Sequence, residues 1–535
     1  MTLILYGLVF GPIIWGLTQY LIKAKWMQSL GWVFKLILFA LSLGCLFKVQ
    51  TQTLSLQLTP APLPYGMMLS VDTLSATFLI LNNFLFLILT LFASKGKYTE
   101  SVFSFLFLIL QGLINGIFLS TDLFNIYLLI EVSTIAISIL IMYKKDKPSL
   151  YDGMFYFAIN MVAMAFFLFG VVMLYKRFGV LDLFHLKEAL DEAPRNKSLI
   201  LPLSFLFTSA ALKAAVFPLY NWLPKAHGIP SAPSIVSAVL SGIFVKIGVY
   251  LLIRLNVLFM DVIPLNGIIM VLGLISALMG VTFAVAQTDI KLLLSYHTIS
   301  QVGLILAGVG GSLMINQAGG LYHLVSHGLF KPLFFVSSGI LIEWYGTRNI
   351  KDMKGLWQRS KGLSIVLIIA ILCITGAPFF SIKTAIYEGQ DNLFIRSLFL
   401  LINMGTMMSF IKFIEMIFSK NRGEVSISGF VSRPIKKEEW LSLKLLALAS
   451  ATLGLFSRTI SPVLINYSFE YTFIDRLIKW PSYLFTFGIA FVLYKTFFKD
   501  NKLIKLIRKF DLTFNETNIV LVSFFFIILL WIDYL

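Results

Sequence analysis

Cysteine is nearly absent from this sequence, and charged residues are scarce. Only two cysteines occur in 535 residues, Cys45 and Cys373, and both lie inside apolar runs. Two isolated thiols cannot form a disulfide framework or a four-thiolate metal cluster. Charged residues make up 13% of the chain, whereas a soluble domain carries about 25%. These shortages exclude a disulfide-rich secreted scaffold and disfavour a soluble globular domain.

The sequence also lacks the motifs with which a chain binds a redox cofactor. No dinucleotide glycine fingerprint follows a strand, and no pair of histidines on separate helices suggests a haem site. His323 and His327 have HxxxH spacing, but the glutamate of HExxH is missing and Lys331 lies on the same face, so zinc is disfavoured. We expect no cofactor, no metal and no redox chemistry in this chain, although it is compatible with a subunit of an oxidoreductase complex.

Apolar sequence is what the chain has in abundance. Hydrophobic residues make up 58% of it, with 50 phenylalanines. Apolar runs of about 20 residues recur from end to end, each long enough to cross the hydrocarbon layer of a bilayer. We predict an all-α polytopic membrane protein with about sixteen transmembrane helices. The predicted segments are 3–22, 29–47, 70–94, 100–119, 121–143, 152–175, 199–223, 232–255, 262–286, 297–312, 317–342, 362–387, 392–418, 440–457, 480–498 and 517–534.

Two details of this assignment concern its ends. The N-terminus has no basic segment ahead of its first apolar stretch, which indicates a membrane helix and not a cleaved signal peptide. Near the other end, residues 459–474 are also fairly apolar. These residues could form a re-entrant element, which makes the fifteenth segment an open assignment.

The basic residues follow an alternating pattern along the chain. The formal net charge is +17, which invites a nucleic-acid interpretation. However, 25 of the 43 Lys and Arg lie in or beside the connections after odd-numbered segments, and 11 lie in the even-numbered ones. This bias predicts both termini outside, basic connections in the cytoplasm and no nucleic-acid partner. Residues 181–190 are predicted to lie flat on the outer surface, and residues 495–509 to form a basic interfacial helix on the inner surface.

Several ionisable residues lie in the middle of predicted membrane helices. A charge at the membrane centre costs several kcal/mol, so such residues are functional candidates. Three of them recur every four residues and therefore share one helix face. The candidates are Glu131, Lys213, Lys246, His323, His327, Lys331 and Lys383, with Glu388, His297 and His227 as secondary candidates.

Other charges in the apolar segments have simpler explanations. A lysine near a helix end extends its ammonium group to the membrane surface, and charges three residues apart form local pairs. Aspartates at helix starts are typical N-caps. We assign Lys35, Lys412, Glu415 and Lys444 to helix ends or local pairs, and Asp72 and Asp122 to N-caps.

Lysine and histidine suit proton transfer for physical reasons. Burial makes a lysine release its proton more readily, a nearby carboxylate reverses this effect, and histidine titrates near neutral pH. Neutral lysine and imidazole bind Na⁺ poorly compared with oxygen ligands. Pro218 follows Lys213 by five residues and Pro378 precedes Lys383 by five. Such helix breaks in a membrane are tolerated where they line a cavity, so both lysines are predicted beside broken helices.

Four stretches of the sequence resemble a known family. LKAAVFPLYNWLPKAHGIPSAPSIVSAVLSGIFVKIGVYLLIR (residues 212–254) is similar to the core motif of antiporter-like membrane subunits. These include the L, M and N subunits of complex I, the large Mrp-type cation/proton antiporter subunits and subunits of membrane-bound hydrogenases. STDLFNIYLLIEVSTIAI (120–137), QTDIKLLLSYHTISQVGLIL (287–306) and LYHLVSHGLFKPLFFVSSG (321–339) match in the same order. The resemblance covers about residues 70–420.

The resemblance implies a role for each main candidate. In this family a glutamate on helix five partners a lysine on broken helix seven, a helix-eight lysine receives protons, a helix-eleven relay carries them, and a helix-twelve lysine releases them. The corresponding residues here are Glu131, Lys213, Lys246, the group His323, His327 and Lys331, and Lys383.

The fold implied by the resemblance contains two inverted five-helix repeats. These are helices 4–8 and 9–13, with helices 7 and 12 broken. The expected divisions are residues 1–99 for the first three helices, 100–255 and 256–420 for the repeats, and 421–535 for the C-terminal helices with the basic interfacial stretch.

The sequence departs from the family pattern in two places. GAPFFSIKT is about two residues shorter than the usual helix-twelve break, so Glu388 is an alternative to Lys383. YHTISQ, with His297 and Gln301, is more similar to the Mrp D branch than to complex I, which usually has a histidine at the position of Gln301. Residues 480–535 are faintly similar to the longer tail of the complex I L chain.

The resemblance implies a proton-translocating subunit of a multi-subunit complex in a prokaryotic cell membrane. Its partners would be other integral membrane subunits of an Mrp-like, hydrogenase-like or respiratory complex, with Na⁺ carried by neighbours if it is transported. A complex I-type NADH–quinone oxidoreductase subunit is the first alternative. A stand-alone secondary transporter is the second, and a scaffold with a disused proton path is a further one.

Overall fold

Helices make up nearly all of the computed structural model, which describes residues 2–22, 25–59, 66–94, 100–192, 197–227, 232–419, 433–499 and 501–535. The α-helices are α1 (Thr2–Ile22), α2 (Lys25–Val49), α3 (Thr73–Ala93), α4 (Ser101–Leu119), α5 (Leu123–Ile141), α6 (Lys147–Phe178), α7 (Leu183–Asp191), α8 (Ile200–Lys213), α9 (Trp222–His227), α10 (Ser234–Val239), α11 (Val245–Phe259), α12 (Asn266–Ala286), α13 (Ile290–Val309), α14 (Met314–Tyr345), α15 (Leu356–Arg359), α16 (Lys361–Thr375), α17 (Leu393–Phe418), α18 (Lys437–Leu455), α19 (Ser457–Ile465), α20 (Phe473–Leu493), α21 (Lys502–Arg508) and α22 (Phe514–Tyr534).

Short irregular helices join some of these elements. The 3₁₀ turns are Met142–Lys144, Lys197–Leu199 and Lys383–Tyr387, and the π-helical turns are Leu240–Phe244 and Tyr494–Phe498. Two strands, β1 (Leu54–Gln57) and β2 (Met68–Val71), form an antiparallel hairpin in which Leu54 pairs with Val71. This hairpin is the exception to the all-α prediction among the described residues.

The described helices confirm a polytopic membrane protein. Thirteen of them are long and apolar enough to cross a bilayer. A fourteenth candidate is the pair α18 and α19, bent by 95° at Phe456. Two further predicted segments, 199–223 and 362–387, correspond to α8 and α16. Each of these helices is too short to span a bilayer alone and is followed by a non-helical break inside the predicted segment. The sixteen predicted segments thus each contain a helix, but thirteen or fourteen qualify as complete spans.

The packing is that of a membrane protein, with apolar side chains on the outside. Phe485 is 71% exposed and Leu393 is 75% exposed on the surface of the bundle. By contrast, Lys246, His327 and Lys331 have no exposed surface. Lipid tails are as apolar as the side chains that face them, whereas the ionisable groups lie in the bundle interior.

The bundle has two distinct ends. The hairpin end contains β1, β2 and α7, where the Leu123 N–H donates to Leu181 O and Asp122 faces Asp182. At the opposite end, which we call the basic end, the Ile290 N–H donates to Arg348 O. The connections after predicted segments nine and eleven meet at the basic end. Lys23, Lys95, Lys97, Arg195, Lys420 and Arg422 from the charge count lie outside the described residues.

Helix lengths recur in the two regions predicted to be repeats. In the first region α4, α5, α6 and α8 have 19, 19, 32 and 14 residues, and the span 234–259 has 26. In the second region α12, α13, α14, α16 and α17 have 21, 20, 32, 15 and 26 residues. In both, the fourth helix is the short, broken one.

The C-terminal elements differ in part from their prediction. The basic interfacial helix expected over residues 495–509 is confined to Lys502–Arg508, because residues 494–498 continue α20 as a π-helical turn. The apolar stretch near residue 460 is α19, which turns sharply away from α18. Together, α20, α21 and α22 form a strap, since α20 packs on α17 whereas α22 packs on α8 and α6.

Candidate functional site

The break in α8 places Lys213 at the end of a helix inside the bundle. The helix stops at Lys213, and Ala215 takes a left-handed conformation with φ of +54°. The indole N–H of Trp222 donates to the freed carbonyl of Leu212 at 2.8 Å. A Cβ at Gly248 would lie 2.1 Å from the Ala214 nitrogen, so only glycine lets α11 approach the break.

Lys213 binds a neutral hydroxyl on α5. Its Nζ donates to Thr134 Oγ1 at 2.7 Å, while that hydroxyl donates to Ile130 O at 2.8 Å. Glu131 lies one turn before Thr134 and is half-buried, and its Oε2 has no hydrogen-bond partner among the described residues. No contact within 4 Å joins Glu131 and Lys213 in the described part of the chain. The expected Glu131–Lys213 ion pair is therefore not closed in this conformation.

Lys246 lies two residues after a π-helical turn that exposes a carbonyl to it. Lys246 Nζ donates to Ser241 O at 2.9 Å, and the same Nζ lies 2.9 Å from His327 Nδ1. The π-turn itself packs on α14, where a Cβ at Gly242 would lie 2.6 Å from Pro332 Cγ. The structure thus joins the predicted helix-eight lysine directly to the predicted helix-eleven relay.

The three relay residues on α14 each face the bundle interior. The His323 and His327 rings are 6.4 Å apart between centroids. His323 Nε2 lies 2.9 Å from Gln301 Oε1 on α13, and Lys331 Nζ donates to Leu294 O at 2.7 Å. A polar row therefore runs along α14 with α13 as its second wall.

Lys383 lies at the break that follows α16. It begins the 3₁₀ turn, and its Nζ contacts Ile374 O at 3.3 Å and Asn403 Oδ1 at 3.2 Å. This turn packs on α14 at Gly319, one turn before His323, where a Cβ would meet Ile386 N at 2.8 Å. The Lys383 ammonium group thus lies between α16 and α17, while its 3₁₀ turn packs against α14.

A cavity of about 490 Å³ at the hairpin end lies beyond Lys383. Asn403, Tyr483 and Glu388 line it together with the start of α20. Glu388 is hydrogen-bonded to Tyr471. Glu388 therefore lies on the cavity wall and does not replace Lys383 as the buried charge.

The two secondary histidines are buried but stand apart from these contacts. His227 stacks on Phe335 with centroids 4.6 Å apart, and His297 lies 4.9 Å from Phe410. Neither ring has a hydrogen-bond partner among the described residues. In the same described part of the chain, no three His, Cys, Asp or Glu side chains come close enough to hold a metal ion.

Several contributing residues carry no strong signal in the sequence. Thr134 and Asn403 are neutral, so nothing marks them as partners of a buried charge, although each binds an intramembrane lysine. Lys291, on the first turn of α13, donates to Ala232 O at 2.7 Å. Gln301 could be singled out in the sequence only because the family resemblance places it where complex I usually has a histidine.

Three assignments of simple charges were wrong. Lys412 does not pair with Glu415 but donates to Val285 O at 2.6 Å and Gln287 O at 2.7 Å, and Glu415 pairs with Lys495. Lys35 is buried at 4% exposure, because α2 begins at Lys25, ten residues earlier. Its ammonium group does not reach the surface.

The predicted caps at the hairpin end are confirmed. Asp72 caps α3 through the Ser75 N–H, and Asp122 caps α5 through the Asn125 N–H. Burial acts to raise the pKa of Asp72, but the Arg254 guanidinium and Ser75 together hold that pKa below its usual value. Asp72 therefore stays ionised and ties α3 to α11 at this end.

Comparison with known proteins agrees with this geometry. The family model described as NADH:quinone oxidoreductase/Mrp antiporter, TM, matches residues 120–417. The sequence is 30% identical over 361 residues to the D component of the Na(+)/H(+) antiporter of Alkalihalophilus pseudofirmus, covering 65% of this chain and 73% of that protein.

Two solved structures share the fold. One is a chain of the membrane-bound sulfane sulfur reductase, an archaeal respiratory membrane complex, with a TM-score of 0.78, 20% identity and coverage of 91% of this chain and 100% of that one. The other belongs to the Mrp complex from Dietzia sp. DQ12-45-1b, with a TM-score of 0.77, 19% identity and coverage of 95% and 100%.

Fold and site together define an integral multi-pass membrane protein with a buried row of ionisable groups along its middle. The family match covers more than half of the chain and contains most of that row. The chain belongs to the NADH:quinone oxidoreductase/Mrp antiporter transmembrane family.

Proposed function

We propose that this protein is the proton-translocating subunit of a multi-subunit membrane complex. The observation that carries the proposal is the row of close polar contacts inside the bundle. Its links are Lys213 to Thr134, Lys246 to His327, His323 to Gln301, and Lys383 to Asn403. Burying this many ionisable groups in a membrane is costly unless they line a hydrated path.

Unpartnered polar atoms mark where the path takes up water. His327 Nε2, His323 Nδ1 and Gln301 Nε2 are buried and have no hydrogen-bond partner among the described residues. A polar atom in such a site binds water when there is room for it. We expect water to bridge the relay between these side chains and to connect it to Lys383.

The path has an inlet and an outlet at opposite ends of the bundle. Protons enter from the basic end toward Lys246 and pass to Lys213. A shift of Glu131 away from Lys213 weakens that lysine's hold on its proton. The proton then passes through the relay of His323, His327 and Lys331 and reaches Lys383, whose turn packs on α14 one turn before His323. It leaves through the cavity beyond Asn403. His297 and His227 remain secondary members of the row.

The predicted domain division would give the path two halves. The recurring helix lengths favour repeats over residues 100–255 and 256–420, flanked by the segments 1–99 and 421–535. Each repeat has five crossings, so the second starts on the opposite side of the membrane from the first. The two repeats, joined by the buried row of ionisable groups, would each provide half of the proton path, one half opening to each membrane surface.

The proposed partners are other integral membrane subunits of an Mrp-type cation/proton antiporter, with Na⁺ exchanged by neighbours. The relationship to the D component of an Na(+)/H(+) antiporter favours this complex. The half-buried flank of Glu131, with Leu128, Val132 and Ile135 exposed beside it, suits contact with a neighbouring subunit. A complex I-type or hydrogenase-type complex is the alternative, and the genes beside this one distinguish them.

Replacing Lys213 or Glu131 with alanine tests the mechanism. Each change removes one partner of the proposed charge switch, so proton uptake by membrane vesicles that contain the complete complex should fall to background. A pH-sensitive dye measures uptake. Lys444→Ala is the matched control, because Lys444 is exposed on α18 and should keep full activity.

Folding must be checked in the same preparations. Size-exclusion profiles and melting temperatures of all three variants should match those of the parent complex. Transport at the parent rate in both Lys213→Ala and Glu131→Ala would refute the mechanism. Transport by the isolated chain, without partners, would favour the stand-alone carrier instead.

A further inference from the structure

Lys35 is a buried lysine outside the proposed proton path. It lies on α2, is 4% exposed, and its Nζ is hydrogen-bonded to Thr90 on α3. The ammonium group also lies 5.5 Å from the centroid of the Phe107 ring on α4. No carboxylate lies within 4 Å of it in the described part of the chain, so its charge has no counter-ion there.

Hydrogen-bond donors around Lys35 are left unused. The Thr90 hydroxyl donates its own proton to Phe86 O at 2.7 Å, so it only accepts from Lys35. The indole Nε1 of Trp15 is buried and has no partner among the described residues. An ammonium group has three protons and one is used here. Among the described residues, the wall of the cavity around Lys35 contains no carboxylate, so an anionic ligand suits these unused donors.

These donors line a cavity of about 90 Å³ among α1, α2, α3 and α4. Trp15, Trp32, Lys35, Thr90 and Ser104 contribute to its wall. The cavity lies toward the basic end, where α1 and α3 finish and α2 and α4 begin. Tryptophans at this depth are typical of the boundary between lipid tails and headgroups.

Exposed apolar side chains of the first two helices lie near the cavity. Leu36 and Ile37, next to Lys35 on α2, are 56% and 50% exposed, and Leu17 on α1 is 47% exposed. A buried ammonium group and a lipid-facing apolar surface are the two features that the headgroup and the acyl chains of an anionic phospholipid require.

We propose that this cavity binds the phosphate group of an anionic phospholipid in the leaflet at the basic end. Lys35 and the Trp15 indole N–H donate to the phosphate oxygens, while the acyl chains lie along α1 and α2. A lipid is favoured over a carboxylate on a partner subunit's helix. The wall combines two tryptophans with a lysine that has no counter-ion within 4 Å in the described part of the chain, and exposed apolar side chains of α1 and α2 lie beside it, which matches a headgroup with its acyl chains.

Native mass spectrometry of the full chain tests this proposal. The protein is released from nanodiscs that contain equal amounts of phosphatidylglycerol and phosphatidylcholine. We expect phosphatidylglycerol to be retained selectively, and Lys35→Gln to reduce its retention about five- to tenfold, the effect of losing roughly 1 kcal/mol of charge attraction. Lys444→Gln, an exposed lysine on α18, should leave retention unchanged.

A second variant separates binding from folding. Trp15→Phe keeps the aromatic ring that stacks on Phe34 but removes the indole N–H, and should reduce retention about twofold while the melting temperature stays unchanged. Competition by inorganic phosphate at millimolar concentration would show that the phosphate alone is recognised, without the lipid. Equal retention in Lys35→Gln and the parent, or equal retention of both lipids, would overturn the proposal. So would a cross-link from residue 35 to a partner subunit's helix in the complete complex.

Discussion

At the scale of single residues, the buried lysines are held by neutral groups. Lys213 binds a threonine hydroxyl, Lys331 a backbone carbonyl and Lys383 an asparagine side chain. Neutral acceptors orient an ammonium group without fixing its charge, whereas a carboxylate would stabilise the protonated form strongly. Each lysine is therefore positioned but remains free to release its proton.

Gln301 gives a prediction at this scale. Its amide oxygen accepts from His323, so Gln301→Leu removes the group that orients the imidazole and should lower proton transport about tenfold. Gln301→His supplies a ring nitrogen in its place and should retain most of the activity. The comparison uses initial rates of dye quenching in vesicles, at matched protein content.

Equal activity of the leucine and histidine variants would show that the His323 contact is structural only. A suitable control is Gln317→Leu on α14. That side chain donates to Gly311 O near the hairpin end, so its loss should leave transport unchanged.

At the scale of the element, the helices could be predicted from the sequence but their partners could not. Apolar runs mark each helix because the bilayer requires them. The contact between Lys246 and His327 joins residues 81 positions apart, and no local pattern specifies that pairing. Asn403 was missed because a neutral polar residue in a membrane helix is common. Lys35 was misjudged because α2 continues through less apolar sequence before it.

The close approach of α8 and α11 gives a prediction for an element. A Cβ at Gly248 would lie 2.1 Å from the Ala214 nitrogen, so Gly248→Ala must push the break in α8 away from α11. We expect a loss of about 1–3 kcal/mol in stability, seen as a lower melting temperature, together with reduced transport. Gly267→Ala on α12, where a Cβ meets nothing within 4 Å, is the matched control.

An unchanged melting temperature and full transport in Gly248→Ala would mean that the break relaxes at no cost. The control should be neutral or slightly stabilising, because alanine favours a helix more than glycine does.

At the scale of the whole molecule, the connections after segments two, four and six meet at the hairpin end, through residues 68, 121–123 and 181–183. Those after segments nine and eleven meet at the basic end, through residues 288–290 and 348–350. The side of the membrane that each end faces is a prediction from the positive-inside rule. The two native cysteines are both buried, at 2% exposure, so introduced cysteines can report orientation against a low background.

Labelling with a membrane-impermeant maleimide tests the orientation. Met314, 75% exposed at the start of α14, is predicted outside, so Met314→Cys should be labelled in intact cells. Lys354, exposed in the connection after α14, is predicted in the cytoplasm, so Lys354→Cys should be labelled only after permeabilisation. The reverse result would turn the proposed inlet into the outlet.

The strap formed by α20, α21 and α22 connects distant parts of the molecule. Asn221, just after the break in α8, donates to Leu512 O and to Thr517 Oγ1, which is 296 residues further along the chain. At its other end, Tyr483 of α20 lies 2.8 Å from Thr375, at the end of α16. One continuous segment thus touches both broken helices.

This arrangement has a consequence for biosynthesis. While the ribosome is still producing the strap, α8 is already in the bilayer with one flank uncovered. The flank of α8 that α22 covers, and the contact of α16 with α20, form only after residues 473–534 have been synthesised. Both broken helices therefore reach their final packing last.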